Sequence, residues 1–254
     1  MKMRNFIVTL TVLSLIVFAG CGQQSKKGSS QKQTVKKEQT SAINTLSQQE
    51  KAEGWELLFD GKDLSGWKKY SGGEVTGWTV KNGILNNSGV GSKHGGDIIT
   101  KKQDYKDFEL YLEWKINPQS NSGVFYHAKE GAKGGISRSG IEYQLIDGKG
   151  WPSKIHADQY SGALYAMYPP SEHAVKPVGE WNVTRIIVKG PHVEHWLNGK
   201  KLVDCEMWSK DWYERKAKSK WKDLPKWGEE KEGGIGLQDH GGLTQFRNIK
   251  IRRL

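Results

Sequence analysis

The sequence predicts an all-β protein, an antiparallel β-sandwich or jelly roll with one short helical insertion, and three observations carry that expectation. Phe108, Leu110, Leu112 and Trp114 alternate with Glu109, Tyr111, Glu113 and Lys115, the period-2 pattern of a strand with one face in a core. Asn82-Gly83 and Asn198-Gly199 stand between short apolar runs, where a type I′ hairpin turn needs positive φ at both central positions. One stretch alone, Trp208–Trp221, spaces its apolar residues (Trp208, Trp212, Ala217, Trp221) close to a helical period, after the capping candidate Ser209.

At the N-terminus, Lys2 and Arg4 precede an apolar run from Phe6 to Ala19 that ends on small residues before Cys21. The run is short for a membrane span and has the build of an export signal. Ala19-Gly20-Cys21 resembles the end of a lipoprotein signal, so Cys21 is the expected lipidation site and the chain is expected on the cell envelope. Gly22 after the cysteine leans toward the outer membrane. With Cys21 lipidated, Cys205 is left as a thiol without an intramolecular partner, so the core must suffice without a disulfide. Residues 1–20 therefore read as signal, 21–53 as a flexible tether rich in Ser, Gln, Lys and Thr, and 54–254 as one domain.

The formal charge is +11, or +9 once Lys2 and Arg4 leave with the signal. Such a balance invites a nucleic-acid reading. The lysines instead gather in the tether and between Lys210 and Lys231, with no recognition helix or nucleic-acid motif, so nucleic acid is not an expected partner. Attraction of the tether to a membrane surface accounts for them better.

Within the domain, further strands are expected at Gly77–Val80 with Ile84–Leu85, Gly123–His127, Ile141–Ile146, Ala163–Met167, Val183–Val188, His192–Leu197, Ile235–Gln238 and Phe246–Arg252. The Trp208–Trp221 insertion is expected as one amphipathic helix that covers a sheet.

Candidate chemistry begins on the strand 141–146. Glu142 and Gln144 project from one face, opposite Ile141, Tyr143 and Leu145, and Asp147 follows at its end; the apolar residues make the strand central. The spacing resembles the E-x-D-x-x-E signature of laminarinase-like glycoside hydrolases, with Gln144 in the middle position. A retaining mechanism needs two carboxylates about 5–5.5 Å apart, which that Gln weakens. His127, His156 and His240 form a second group, since imidazoles act as acid or base near neutral pH or ligate metals. A structural zinc site is not expected, because paired Cys and H-E-x-x-H motifs are missing, whereas a carboxylate and histidine site for a divalent ion stays open.

Six ordered motifs then carry a resemblance. Trp55 to Trp67 (WELLFDGKDLSGW), Asn121 to His127 (NSGVFYH), Gly140 to Asp147 (GIEYQLID), Gly179-Glu180-Trp181-Asn182, His195 to Gly199 (HWLNG) and Gly236 to Gly241 (GLQDHG) with Phe246-Arg247-Asn248-Ile249 together resemble the 3-keto-disaccharide hydrolase domain family, over residues 54–254. The resemblance implies a concanavalin A-like sandwich, a carbohydrate substrate and cleavage of glycosides already oxidised at C3. A C3 ketone acidifies the C2 proton, a base removes it, and the C1 substituent leaves by β-elimination; added water would make the enzyme a hydrolase, its absence a lyase. On that basis His156 or Glu142 is the expected C2 base, Asp147 and His240 the leaving-group acid or metal ligands, and Gln144 and Asn121 the binders of sugar hydroxyls. His127, Trp151, Tyr165, Tyr168 and Lys176 are expected around the cleft. Two other readings stand beside it: a carbohydrate-binding module without catalysis, and a direct glycosidase using Glu142.

Overall fold

The computed structural model describes residues 42–87, 89 and 96–254. The expected signal, Cys21 and the tether up to residue 41 lie outside the described residues. The strands are β1 (Trp55–Leu57), β2 (Trp67–Lys69), β3 (Trp78–Lys81), β4 (Ile84–Asn87), β5 (Ile98–Thr100), β6 (Phe108–Ile116), β7 (Asn121–Ala128), β8 (Ile141–Ile146), β9 (Asn182–Lys189), β10 (His192–Leu197), β11 (Lys200–Glu206), β12 (Gly234–Leu237) and β13 (Thr244–Arg253). Among the described residues they form two antiparallel sheets. The larger runs β11-β10-β9-β6-β13-β4-β3, with β1 also paired to β13, and the smaller runs β2-β5-β12-β7-β8. This is the all-β jelly-roll sandwich that the sequence predicts.

Alternation places the core. Phe108, Leu110, Leu112 and Trp114 of β6 are fully buried and meet Val124, Tyr126, Tyr143 and Leu145 of the smaller sheet in one cluster. The buried rings satisfy their polar ends across the gap: Trp114 Nε1 donates to Thr184 Oγ1 at 2.8 Å, the Thr184 hydroxyl to Tyr143 Oη at 3.0 Å, and Tyr143 Oη to the Trp196 carbonyl at 3.2 Å. A buried polar atom left without such a partner would cost about 1–3 kcal/mol. Both Asn-Gly turns take the expected conformation, with φ of 52° and 74° at Asn82 and Gly83 and 50° and 83° at Asn198 and Gly199.

Three expectations need correction. The packed chain starts about ten residues before Gly54: Ser47 caps a helix, α1 (Gln48–Ala52), through a reciprocal bond pair with Glu50, and Lys250 on β13 pairs with Glu50. Asn44 N donates to the Asn248 side-chain Oδ1 and Asn248 N donates to Asn44 Oδ1. Composition marks this segment as tether because the partners that tie it to the fold, Asn248 and Lys250, lie about two hundred residues away on β13.

Ala163–Met167 is not a strand. Ala166 has φ of 60°, and Met167 N bonds the Leu164 carbonyl, closing a turn. Nor is β8 central. It ends the smaller sheet, and its outer edge is covered by that turn segment: Gly162 N donates to Gln144 O, Gln144 N to Ala163 O, and Tyr165 N to Glu142 O. The run reads as buried because a loop with strand-like hydrogen bonds covers it.

The insertion is as expected a single helix, α2 (Lys210–Lys218), with Ser209 Oγ accepting from Trp212 N. After it the chain folds back so that Trp212, Trp227 and Trp221 stack, with ring centroids 5.8 and 4.5 Å apart and planes within 9° of parallel. Trp221 Nε1 donates to Tyr165 O and Trp227 Nε1 to Ser137 O, which ties the insertion beside β8.

Candidate active site

The register of β7 against β8 sets Gly123 opposite Gln144, Phe125 opposite Glu142 and Asn121 opposite Ile146, so Asn121, Gln144 and Glu142 share the outer face of the smaller sheet. All three are buried. Among the described residues Asn121 Oδ1 and Gln144 Oε1 have no hydrogen-bond partner. Two orphaned carbonyl oxygens on one face are what a ligand with hydroxyl donors would satisfy.

Glu142 lies over Gly123: a Cβ built there would come within 3.0 Å of the Glu142 Cγ and Cδ and closer still to Oε1. A glycine inside a strand commonly marks such a close approach. Burial pushes the Glu142 carboxyl up to about 8, against the pull of Lys220 and with a further push from Asp97. Gly123→Ala should therefore move the carboxylate while leaving the sandwich folded, lowering kcat at least tenfold with the melting temperature within a few degrees; wild-type kcat would show that Glu142's position does not matter.

The cluster around Glu142 draws on five other segments, of which Asp97, Lys220 and Tyr165 interact with its carboxyl. Asp97 precedes β5; burial raises its carboxyl to about 6, Asp239 N donates to its Oδ1 at 3.2 Å, and the Asp239 charge adds to the rise. Asp239 is buried and accepts from Asn87 Nδ2 at 3.2 Å. His240, next to it, surfaces at the rim, where partial burial and then the Lys220 charge hold its imidazole below the ordinary value. Trp151 stacks on His240 at 6.4 Å. Lys220 follows α2, with Nζ 4.2 Å from the Tyr165 ring centre and 4.4 Å from that of Trp221. Burial lowers its pKa, and Glu142 counteracts part of that shift. Burial, then Glu142, raises the Tyr165 phenol.

The structure thus brings together Glu142, Gln144, Asn121, His240, Trp151 and Tyr165. Asp147 has another task. Its carboxylate accepts from Gln119 N at 2.9 Å, Gly150 N at 2.9 Å and Lys149 N at 3.2 Å, and these bonds outweigh burial to hold its pKa below the ordinary value. A carboxylate so held is ionised at neutral pH and is a poor leaving-group acid. His127 is buried against Phe108 and Tyr126 with Nε2 on the Lys106 carbonyl, so it belongs to the packing. Tyr168 anchors α2 through Asp211 at 2.8 Å. Lys176 reaches the Trp181 carbonyl and, with Asp147, lines a separate cleft of about 600 Å³. His156 is exposed and heads a short turn, Ala157–Gln159, where its N–H donates to Gln159 Oε1.

Asp147 and His240 fall, among the described residues, in no three-ligand metal group. Among the described residues the groups close enough for one are His192, Glu194 and Asp204 on the larger sheet, where Lys201 already bridges the two carboxylates.

Sequence reasoning missed Lys220, Asp97 and Asp239 as members of the cluster. Lys220 lies in a lysine-rich stretch that reads as a solvated face, and Asp97 is far in sequence from Glu142. The glycine at 123, in the middle of a strand, was the one available sign of close approach.

The fold and the site define a jelly-roll sandwich with a polar, partly orphaned site on the outer face of its smaller sheet. The chain belongs to the 3-keto-alpha-glucoside-1,2-lyase-like domain family, whose pattern matches residues 54–252. It is 34% identical to a 3-keto-disaccharide hydrolase of Bacteroides thetaiotaomicron, in an alignment covering 94% of both chains. A crystal structure from Parabacteroides distasonis that bears a provisional glycosyl hydrolase name matches with TM-score 0.79 and 42% identity, covering 84% of this chain and 100% of that one. Another from the same organism, similarly named, matches with TM-score 0.61 and 31% identity, covering 79% and 99%.

Proposed function

We propose that this chain is an enzyme that cleaves the glycosidic bond of 3-keto-glycosides or 3-keto-disaccharides by removing the C2 proton and eliminating the C1 substituent. The observation that supports it best is the buried Glu142, raised to about 8, on one face with the unpartnered oxygens of Gln144 and Asn121. A general base works best with a pKa near the operating pH. Glu142 takes the C2 proton in this reading, and Gln144 and Asn121 accept from ring hydroxyls. His240 and Trp151, one stacked on the other at the rim, stand on the leaving-group side. The name of the relative from Bacteroides thetaiotaomicron supports the substrate class.

The test is to incubate the detergent-solubilised full-length protein with a 3-keto-disaccharide and with its unoxidised parent. Cleavage of the keto sugar alone is expected, and a 2-hydroxy-3-keto-glycal among the products would reveal the elimination. Equal cleavage of the parent would favour a direct glycosidase, and binding without cleavage a carbohydrate-binding module. The reading includes export and lipidation at Cys21, for which loss of fatty-acid labelling in Cys21→Ser is the check.

A further inference from the structure

The segment after α2 is built to hold one lysine in place. The Lys216 ammonium is buried and donates to the carbonyls of Pro225 and Trp227, at 2.8 and 2.6 Å, and pairs with Glu229, which closes the loop 218–229 on the helix. Ser219 Oγ accepts from Trp221 N at 3.0 Å, which fixes the turn. The Trp212, Trp227 and Trp221 stack then leans on Tyr165, whose own N–H is bonded to the Glu142 carbonyl. Lys220 is the residue this assembly presents. Its Nζ rests on the faces of Tyr165 and Trp221 and makes no hydrogen bond or ion pair among the described residues. Aromatic faces hold a cation without using its N–H donors, so all three stay available to a ligand. The charged and titratable groups facing it come from separate elements: Glu142 on β8 and Asp158 attract it, Arg138 repels it, and His240 at the rim feels its charge.

We infer that Lys220 is a further catalytic residue, whose ammonium meets the sugar's C3 oxygen and receives the negative charge that gathers there. The inference rests on the proposed function. As the C2–H bond breaks, its proton passes to the Glu142 carboxylate and its electron pair forms the C2=C3 bond, while the C3=O π pair moves onto the oxygen beside Lys220. The enolate then collapses: C3=O reforms, C1=C2 forms, and the C1–O bond breaks as the departing oxygen takes a proton from water, while the proton held by Glu142 returns to solvent. An ammonium placed where that charge develops lowers the barrier to its formation.

The experiment compares wild type, Lys220→Met and Lys220→Arg on a 3-keto-disaccharide across pH, with C2 hydrogen–deuterium exchange and thermal melting on the same samples. Lys220→Met should lose on the order of a hundredfold in kcat, with KM within a few-fold and slowed C2 exchange. Loss of the cation beside Glu142 should also carry the rising limb of the pH–rate profile to higher pH, and Lys220→Arg should recover part of both effects. Met and Arg variants that keep wild-type kcat and exchange would overturn the assignment alone. So would a loss of kcat that follows only the melting temperature and leaves the pH limb in place. A wild type that leaves the keto sugar intact would overturn the proposed function and this inference together.

Discussion

Glu142→Gln is expected to lower kcat on a 3-keto-disaccharide by about a thousandfold, the scale of a lost general base, while making the protein more stable. The two effects share one cause. The folded site raises the carboxyl from 4.5 to about 8, so the charged form is disfavoured in the native state. For a group raised in this way, its full stability contribution is present below the unfolded value and is lost as pH rises through the folded one. The stabilisation of Glu142→Gln over wild type should therefore grow between about pH 4.5 and 8 and level off above that, reaching a few kcal/mol. Wild-type kcat/KM should rise over the upper part of the same window as the base ionises. Melting curves of both proteins at pH 4, 6 and 8.5 provide the check. Equal melting temperatures at pH 8.5 would mean that the carboxyl carries no burial penalty, and an active Gln variant would remove Glu142 from the chemistry.

Trp227→Ala is expected to have the largest structural effect. Trp227 is 1% exposed, lies between Trp212 and Trp221, and bonds Ser137 through its indole. Truncating a buried Trp costs about 3–5 kcal/mol. Here the loss falls on the insertion, so amide exchange in α2 should accelerate more than exchange in β6 or β9. Turnover should fall too, because the stack seats Lys220 beside Glu142, whereas Trp227→Phe should keep most of both. Urea unfolding and kcat measured together decide it; a cost below about 1 kcal/mol would show that the stack is not what holds the insertion.

The two predictions mark what was and was not legible. Alternation along β6 and the two Asn-Gly pairs report local geometry that the backbone obeys wherever those residues occur, so the sandwich, its hairpins and the α2 cap could be read from the chain. Glu142 and Gln144 could be placed on one face for the same reason: a strand has a period of two. Asp147 looked like chemistry because its use is decided by three amides, at 119, 149 and 150, that meet it only in the folded loop. The reverse holds for Lys220, indistinguishable in sequence from its solvated neighbours.

The sequence by itself determined the all-β class, the turn positions, the helical insertion and the face carrying Glu142 and Gln144, since these depend on residues within one strand, turn or helix. Only the tertiary structure decided that β8 is a covered edge, that residues 44–53 belong to the fold, and that Lys220 and Asp97, the latter backed by Asp239, converge on Glu142. Burial and electrostatic coupling act between residues more than a hundred positions apart as well as between near ones, and neither distance nor dielectric is written in residue order.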